Sequence, residues 1–153
     1  MGDRATACTV HGTCIAIAEA GVLIRGASGA GKSDLALRMI DEGARLVADD
    51  QVRLRLGEGH LIASAPDTIK GLLEVSGVGL ARLGPQHIVE SAVLRLVVDL
   101  APVAEIDRLP APRTETLLGT RIPLLGLDPF ETSAAAKLRL AAGRGPGAIM
   151  RVP

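Results

Sequence analysis

The chain has 153 residues, 48% of them hydrophobic and 22% charged, which is enough to bury a core and excludes a disordered protein. Its 17 Lys and Arg residues balance 17 Asp and Glu residues, and it has one Phe but no Trp or Tyr, so we expect no nucleic-acid partner. No apolar run reaches the about 20 residues that cross a membrane, and no signal peptide is recognisable. The sequence therefore predicts one cytoplasmic domain over residues 1–153, without a membrane partner.

The first third of the chain predicts three strands and one helix. Strands are expected over residues 9–17, 22–24 and 45–48, with a turn at 19–21 between the first two. A helix is expected over residues 34–42, where apolar residues recur at the spacing of one helical face. A strand, a loop and a helix thus follow one another near the start of the domain.

The middle of the chain is rich in predicted strands. Residues 52–56 alternate strictly between polar and apolar, and residues 60–65 return as a hairpin partner across a glycine turn. Residues 71–84 are dense in glycine, and residues 92–100 form the longest apolar run, which predicts a central strand. These features predict a β-rich α/β domain.

The last part of the chain predicts two short strands and a helix. The strands are expected near residues 114–118 and 121–125, after a proline-rich stretch. Asp128 has the sequence of an N-cap, because Pro129 follows it and Glu131 completes a capping box three residues later. The sequence therefore predicts a helix from Asp128 to about residue 143, followed by a loop.

Two cysteines, Cys8 and Cys14, lie six residues apart without a CxxC motif. This number and spacing provide neither a zinc site nor a disulfide framework. If both flank one strand, their even offset directs both side chains to one face. We expect reduced, buried thiols.

Residues 26–33 match the phosphate-binding loop G-x-x-x-x-G-K-[ST] at every fixed position, between a predicted strand and a predicted helix. Glycines allow the backbone N–H groups to surround phosphate oxygens, and the helix N-terminus adds partial positive charge. In this motif the lysine reaches the β- and γ-phosphates, and the final hydroxyl binds Mg²⁺. The residues predicted to bind a nucleoside triphosphate are Gly26, Ala27, Ser28, Gly29, Ala30, Gly31, Lys32 and Ser33.

Asp49 and Asp50 follow the next apolar strand, at the end where α/β sheets place their ligands. Adjacent strand residues point to opposite faces, so in a regular strand one of these aspartates is predicted to face Mg²⁺ and the other the phosphate acceptor. The alternative is a pair of solvated aspartates in a turn.

Four segments together resemble the HPr kinase/phosphorylase family, in order and over about residues 8–126. They are HGTCIAIAEAGVLIRGASGAGKS from His11, ALRMIDEGARLVADDQV from Ala36, LEVSGVG from Leu73 and AEIDRL from Ala104. The implied fold resembles the nucleotide-binding core of phosphoenolpyruvate carboxykinase, with β-rich mixed sheets, a P-loop helix and a C-terminal helix. The resemblance implies the C-terminal catalytic domain alone, without the N-terminal domain of the longer family members.

The resemblance assigns roles to individual residues. Asp50 corresponds to the proton acceptor for phosphorylation, and His11, Lys32 and Arg108 correspond to further active-site residues. Ser33 and Glu74 correspond to the metal ligands, and with Asp50 as the proton acceptor Asp49 is predicted as a further metal ligand. From the residues alone, structural interpretations stay open as well. His11 could be an ordinary half-buried histidine, and Glu74 a solvated strand residue. Arg108 could form a surface ion pair with Asp107.

The implied activity is an ATP- and Mg²⁺-dependent protein-serine kinase that acts on HPr or a related phosphocarrier protein, in a homo-oligomer that would be a hexamer. Ser76 stands where the family usually has Arg, and residues 122–128 lack the cationic side chains that the family links to dephosphorylation. The kinase residues are therefore all present, whereas the basis for the reverse phosphorolysis is weakened. A small-metabolite kinase and a non-catalytic nucleotide sensor are the alternative functions.

Overall fold

A computed structural model describes residues 5–150. In this range the chain forms eleven strands, two α-helices and three short 3₁₀ turns. The strands are β1 (Ala7–His11), β2 (Thr13–Ile17), β3 (Ala20–Arg25), β4 (Arg45–Ala48), β5 (Gln51–Gly57), β6 (His60–Ser64), β7 (Leu72–Val75), β8 (Gly79–Arg82), β9 (Ser91–Leu100), β10 (Arg113–Leu117) and β11 (Thr120–Leu127). The helices are α1 (Lys32–Asp41) and α2 (Ala134–Ala141), and the 3₁₀ turns are Asp67–Ile69, Pro85–His87 and Val103–Glu105.

Nine of the strands form one mixed sheet with the order β1-β5-β6-β9-β3-β2-β4, and β11, which also pairs with β10, joins it at β9. Strand β9 runs parallel to β3 and to β11, whereas the other pairs in this sheet are antiparallel. β7 and β8 form a separate two-stranded sheet. This arrangement confirms the predicted mixed, β-rich α/β fold with a P-loop helix and a second helix near the C-terminus.

Strand β9 is central, as its long apolar run predicts. It pairs with β3 from Val93 to Asp99, while its first residues pair with β6 and its last residues with β11. Parallel neighbours end at the same edge of a sheet. The end of β9 therefore lies beside the end of β3, where the phosphate-binding loop begins.

The sheet separates two clusters of buried apolar residues, because side chains alternate between its faces. On β2, Ile15 and Ile17 pack with α1 and α2, whereas Cys14 and Ala16 pack in the opposite cluster with β5 and β6. Each fully buried large aliphatic side chain contributes about 1.5–3 kcal/mol relative to exposure. Both faces of β2 are buried, so packing on two sides holds this strand in place.

The predicted single strand over residues 9–17 is wrong, because Gly12 divides it into β1 and β2. A Cβ atom at Gly12 would lie 2.8 Å from the carbonyl oxygen of Ile24, so the chain can approach β3 at this point only with glycine. The turn predicted at 19–21 also lies earlier, since Ala18 has a left-handed φ of 54° and Ala20 already begins β3.

The predicted start of the last helix at Asp128 is also wrong. Asp128 accepts hydrogen bonds from the main-chain N–H groups of Phe130 at 2.9 Å and Val103 at 3.0 Å, so it stabilises a turn and anchors a neighbouring loop. Glu131, predicted to complete the capping box, pairs with Lys137 at 2.8 Å. Helix α2 begins at Ala134, one turn and a half later than its sequence signal.

The remaining element predictions are confirmed within a few residues. Strand β4 covers residues 45–48, β5 and β6 form the predicted hairpin, and the glycine-dense region contains the hairpin of β7 and β8. In the described part of the chain, neither helix is long and apolar enough to cross a bilayer.

Both cysteines are free and lie on different strands, and the prediction that both thiols are buried is wrong for Cys8. Cys8 is half-buried on β1, and Cys14 is fully buried on β2. Burial raises the pKa of the Cys14 thiol to about 12, because the charged thiolate is poorly solvated there.

Candidate functional site

The loop at residues 26–31 connects β3 to α1 in a geometry that depends on its glycines. Gly31 adopts a φ of 103°, and a Cβ atom there would lie 3.2 Å from Pro129 and 3.3 Å from Phe130. Gly29 also adopts a left-handed φ of 81°. These conformations are accessible to glycine and let the backbone curl at the N-terminus of α1.

Lys32, the first residue of α1, lies across this loop. Its Nζ donates hydrogen bonds to the carbonyl oxygens of Gly26 at 2.7 Å and Ala27 at 2.9 Å. The side chain is 8% exposed, so the ammonium group is largely withdrawn from solvent. The loop thus places one positive charge among its own main-chain groups.

An ion-pair network anchors the start of the loop to the sheet. Arg25 donates to Asp99 through Nε at 2.7 Å and Nη2 at 2.9 Å, and Nη2 also lies 2.7 Å from Glu115. The hydrogen bond to Asp99 is the main cause that raises the pKa of Arg25 further above its usual value. Because Arg25 immediately precedes Gly26, this network fixes the point from which the loop departs.

The carboxylate of Asp49 connects three segments of the chain. Its Oδ1 accepts hydrogen bonds from Thr13 Oγ1 at 2.8 Å and Ser33 Oγ at 3.0 Å, and its Oδ2 accepts one from the main-chain N–H of Glu74 at 3.0 Å. Asp49 is 8% exposed. A carboxylate in such surroundings is stable only because these donors satisfy it.

Asp50 has a different environment from its neighbour. Its side chain is 72% exposed, and its backbone adopts a left-handed φ of 72°. Its carbonyl oxygen accepts a hydrogen bond from the Gly12 N–H at 3.1 Å, and Oδ1 lies 3.4 Å from His11 Nδ1. The predicted separation of the two aspartates to different sides is therefore present, but a turn after β4 produces it rather than regular strand alternation.

Glu74 reaches this cluster through its backbone. It lies on β7 opposite Leu80 of β8, and its main-chain N–H donates to Asp49 while its side chain is exposed. The structure thus brings the backbone of the predicted metal ligand Glu74 to Asp49.

Arg108 is an exposed residue of the proline-rich loop and lines a cavity of about 920 Å³ with Leu109 and Asp128. Within residues 5–150, no hydrogen bond or ion pair joins its guanidinium group to Lys32, Asp49 or Asp50. Residues 128–130 connect the two regions, because Asp128 lines the cavity and Pro129 packs on the phosphate-binding loop. Among the described contacts, Ser33, Glu74 and His11 meet the aspartates, whereas Arg108 lies in a separate loop.

Thr13 and Arg25 are site residues that sequence reasoning missed. Thr13 is the single polar residue in the run that forms β2, which is a signal for a buried hydroxyl with a partner. Arg25 precedes the loop and pairs with Asp99, which lies 74 residues away in the chain. The register of two parallel strands brings these residues together, and the sequence does not give that register.

The donors around Asp49 fit a hard divalent cation such as Mg²⁺. Ser33 supplies a hydroxyl oxygen, and Asp49 supplies a carboxylate within hydrogen-bond distance of it. Glu74, whose main-chain N–H donates to Asp49, carries a further carboxylate. In the described range, no three His, Cys, Asp or Glu side chains lie close enough together to hold a metal ion. Proteins usually bind Mg²⁺ through one or two carboxylates together with phosphate oxygens and water.

The mixed sheet, the loop between β3 and α1, and the acidic pair after β4 define a P-loop domain of the α/β class. A family model described as "HPr Serine kinase C-terminal domain" matches residues 3–138. The chain belongs to this family.

Curated relatives and a solved structure agree with this assignment. The chain is 42% identical over 108 residues to HPr kinase/phosphorylase of Geobacillus thermodenitrificans, covering 65% of this chain and 35% of the relative. It is 39% identical over 125 residues to the Geobacillus kaustophilus protein of the same name, covering 76% of this chain and 40% of the relative. The matches thus span little more than a third of these relatives.

The structure resembles the Hpr(Ser) kinase/phosphatase of Coxiella burnetii with a TM-score of 0.77 at 30% sequence identity. This match covers 90% of the present chain and 87% of the other. The similarity therefore extends over most of both chains rather than the phosphate-binding loop alone.

Proposed function

We propose that this domain is a protein-serine kinase that transfers the γ-phosphoryl group of ATP to a serine of HPr or a related phosphocarrier protein. The observation that carries the proposal is the contact between Ser33 and the buried Asp49, beside the exposed Asp50. This arrangement provides separate positions for a metal-bound phosphate and for an incoming hydroxyl group. The names of the relatives supply the acceptor.

The loop binds the nucleotide in this proposal. Main-chain N–H groups of residues 26–33 donate to the phosphate oxygens, and Lys32 exchanges the carbonyl oxygens of Gly26 and Ala27 for the β- and γ-phosphates. Ser33, Asp49 and Glu74 would hold Mg²⁺, which, when bound, offsets negative charge on the phosphates.

Asp50 acts as the proton acceptor. Its exposed carboxylate takes the proton of the acceptor serine as the serine oxygen bonds to the γ-phosphorus. The bond from that phosphorus to the β-phosphate oxygen breaks, and its electron pair leaves with ADP. His11, at 3.4 Å, orients the Asp50 carboxylate, and Arg108 is proposed to offset charge on the transferring group.

A phosphotransfer assay with purified HPr, ATP and Mg²⁺ tests this function. The protein should produce phosphoserine on HPr, and Asp50→Asn should lower the rate at least about 100-fold because the proton acceptor is lost. Asparagine tolerates the left-handed backbone of residue 50, so the variant should fold. ATP affinity should be unchanged.

The matched control is Asp41→Asn, which alters an exposed aspartate at the end of α1. It should keep the full rate. Absence of phosphate on HPr, with transfer to another acceptor, would overturn the proposed substrate. Full activity of Asp50→Asn would overturn the proposed proton acceptor.

Addition of inorganic phosphate to phosphorylated HPr tests the reverse reaction. Residues 122–128 have no cationic side chain, so we expect phosphorolysis to be slow relative to the forward transfer. A reverse rate comparable to the forward rate would contradict this expectation.

The proposed assembly is a homo-hexamer, as the family resemblance implies. Val78, Leu80 and Leu109 are between 69% and 83% exposed, and such apolar side chains are typical of surfaces that associate. Light scattering of the purified protein at several concentrations measures the subunit number, and a monomer throughout would refute the proposal.

A further inference from the structure

Thr13 occupies an unusual place for a polar residue. It is the first residue of β2 and is 0% exposed. Because strand side chains alternate, Thr13 lies on the same face of β2 as Ile15 and Ile17, which pack against α1. Its hydroxyl group is therefore inside the core, where a polar group without a partner is costly.

Sheet register brings Thr13 to Asp49. Strands β2 and β4 are antiparallel, with Cys14 opposite Ala48, so the residue before Cys14 lies beside the residue after Ala48. Thr13 Oγ1 donates to Asp49 Oδ1 at 2.8 Å, the shortest of the three hydrogen bonds that this carboxylate accepts.

These bonds fix the orientation of the carboxylate. Thr13 binds Oδ1 and the Glu74 N–H binds Oδ2, so rotation of the carboxylate plane would break at least one bond. The remaining acceptor site on Oδ1 receives the Ser33 hydroxyl proton. Because Ser33 donates its single proton to Asp49, its own lone pairs stay free for a cation.

We propose that Thr13 is a positioning residue that orients Asp49, and through Asp49 the Ser33 hydroxyl, for the cation that accompanies ATP. Valine has nearly the same shape as threonine and would satisfy the packing of β2, so the hydroxyl group requires its own explanation. The inference rests on the proposed function, because the cation that Asp49 and Ser33 would bind is the one that accompanies ATP in that function.

Equilibrium binding of ATP tests the inference, measured once with Mg²⁺ and once with EDTA. Thr13→Val should reduce the gain in ATP affinity that Mg²⁺ provides by about tenfold, while the affinity in EDTA stays unchanged. Thr13→Ser keeps the hydroxyl group and should restore most of the gain. Thr9→Val, at an exposed position on β1, is the matched control and should have no effect.

A nucleotide-free urea unfolding experiment tests the link between Thr13 and Asp49 without the proposed function. Thr13→Val should lower the unfolding midpoint of the wild-type protein, because Asp49 loses a donor. In an Asp49→Ala background the same change should leave the midpoint unchanged or raise it, since the buried hydroxyl then has no carboxylate partner.

The outcomes separate the two proposals. Equal loss of the Mg²⁺ effect in Thr13→Ser and Thr13→Val, or an equal fall of the midpoint in both backgrounds, overturns the positioning role. A wild-type protein that binds ATP no better with Mg²⁺ than with EDTA overturns the metal-dependent function. In that case the unfolding experiment still decides whether the hydroxyl group supports Asp49.

Discussion

Asp49 and Asp50 are neighbours in the chain, yet they belong to two regions with opposite properties. Asp49 lies in the buried region, where donors from β2, α1 and β7 meet its carboxylate. Asp50 lies at the exposed rim, where His11 is the side chain beside it. The left-handed backbone of Asp50 turns the chain from the first region to the second.

The difference teaches how one acidic pair can serve two purposes. A carboxylate that must hold a cation in a fixed place benefits from several hydrogen bonds, because they restrict its rotation. A carboxylate that must receive a proton from a protein hydroxyl has to be accessible to that protein. The predictions below test this division, from the largest expected effect to the smallest.

The largest effect is expected at Asp49. Asp49→Asn should destabilise the fold by about 3 kcal/mol, because an amide NH₂ group would replace an oxygen that now accepts a hydrogen bond. Asp50→Asn should change the free energy of unfolding by less than about 0.5 kcal/mol, since that side chain is exposed. Urea unfolding measures both, and equal losses would remove the distinction between the regions.

Gly12 holds the exposed turn at Asp50 in place through its main-chain N–H. Gly12→Ala should destabilise the protein by about 2 kcal/mol, because the added Cβ would lie 2.8 Å from the Ile24 carbonyl oxygen and the backbone must move. That movement would also disturb the hydrogen bond from the Gly12 N–H to Asp50. Gly147→Ala is the control, because nothing lies near that position. An undisturbed melting temperature in Gly12→Ala would contradict the packing.

Cys14 reports on the buried region through pH. Its pKa is about 12 in the folded state against 9.0 for a free thiol, so the unfolded chain loses this proton first as the pH rises. Stability should therefore fall by about 1.4 kcal/mol per pH unit above pH 9. Unfolding of Cys14→Ala between pH 8 and 10 should lack this component of the slope. Cys8→Ala is the control, and an unaltered slope in Cys14→Ala would refute the prediction.

His11 should show the smallest effect on stability. His11→Ala should change the free energy of unfolding by less than about 0.5 kcal/mol, because its side chain is 57% exposed. Its phosphotransfer rate should fall while ATP affinity is retained, as expected for a group that orients Asp50. A large loss of stability would place His11 in the buried region instead.

The parts of the fold that local sequence determines were predictable. The phosphate-binding loop, β4 and the hairpin of β5 and β6 follow from glycine spacing, an apolar run and strict alternation. The break at Gly12 was missed because the clash that requires glycine comes from Ile24, on another strand. Asp128 failed as a helix cap because its carboxylate holds the distant Val103.

The same limit applies to the site. Spacing and resemblance predicted Ser33, Asp49 and Asp50 as site residues, and in the structure Ser33 donates a hydrogen bond to Asp49. The donors that hold Asp49 were not predictable, because they depend on the register of β2 against β4 and on the position of β7. Long-range pairing thus explains most of what the sequence left open.

In the proposed function, the lysine of the phosphate-binding loop affects the speed at which a nucleotide is captured. Lys32 already donates hydrogen bonds to two carbonyl oxygens of the loop, so the loop is held in shape before any phosphate arrives. An incoming anion then has to move only the flexible side chain of Lys32 and does not have to order a backbone segment. Binding therefore avoids the loss of conformational entropy that such ordering would cost. We expect the rate of capture to be limited by diffusional encounter, because the two carbonyl oxygens occupy Lys32 only until the anion replaces them.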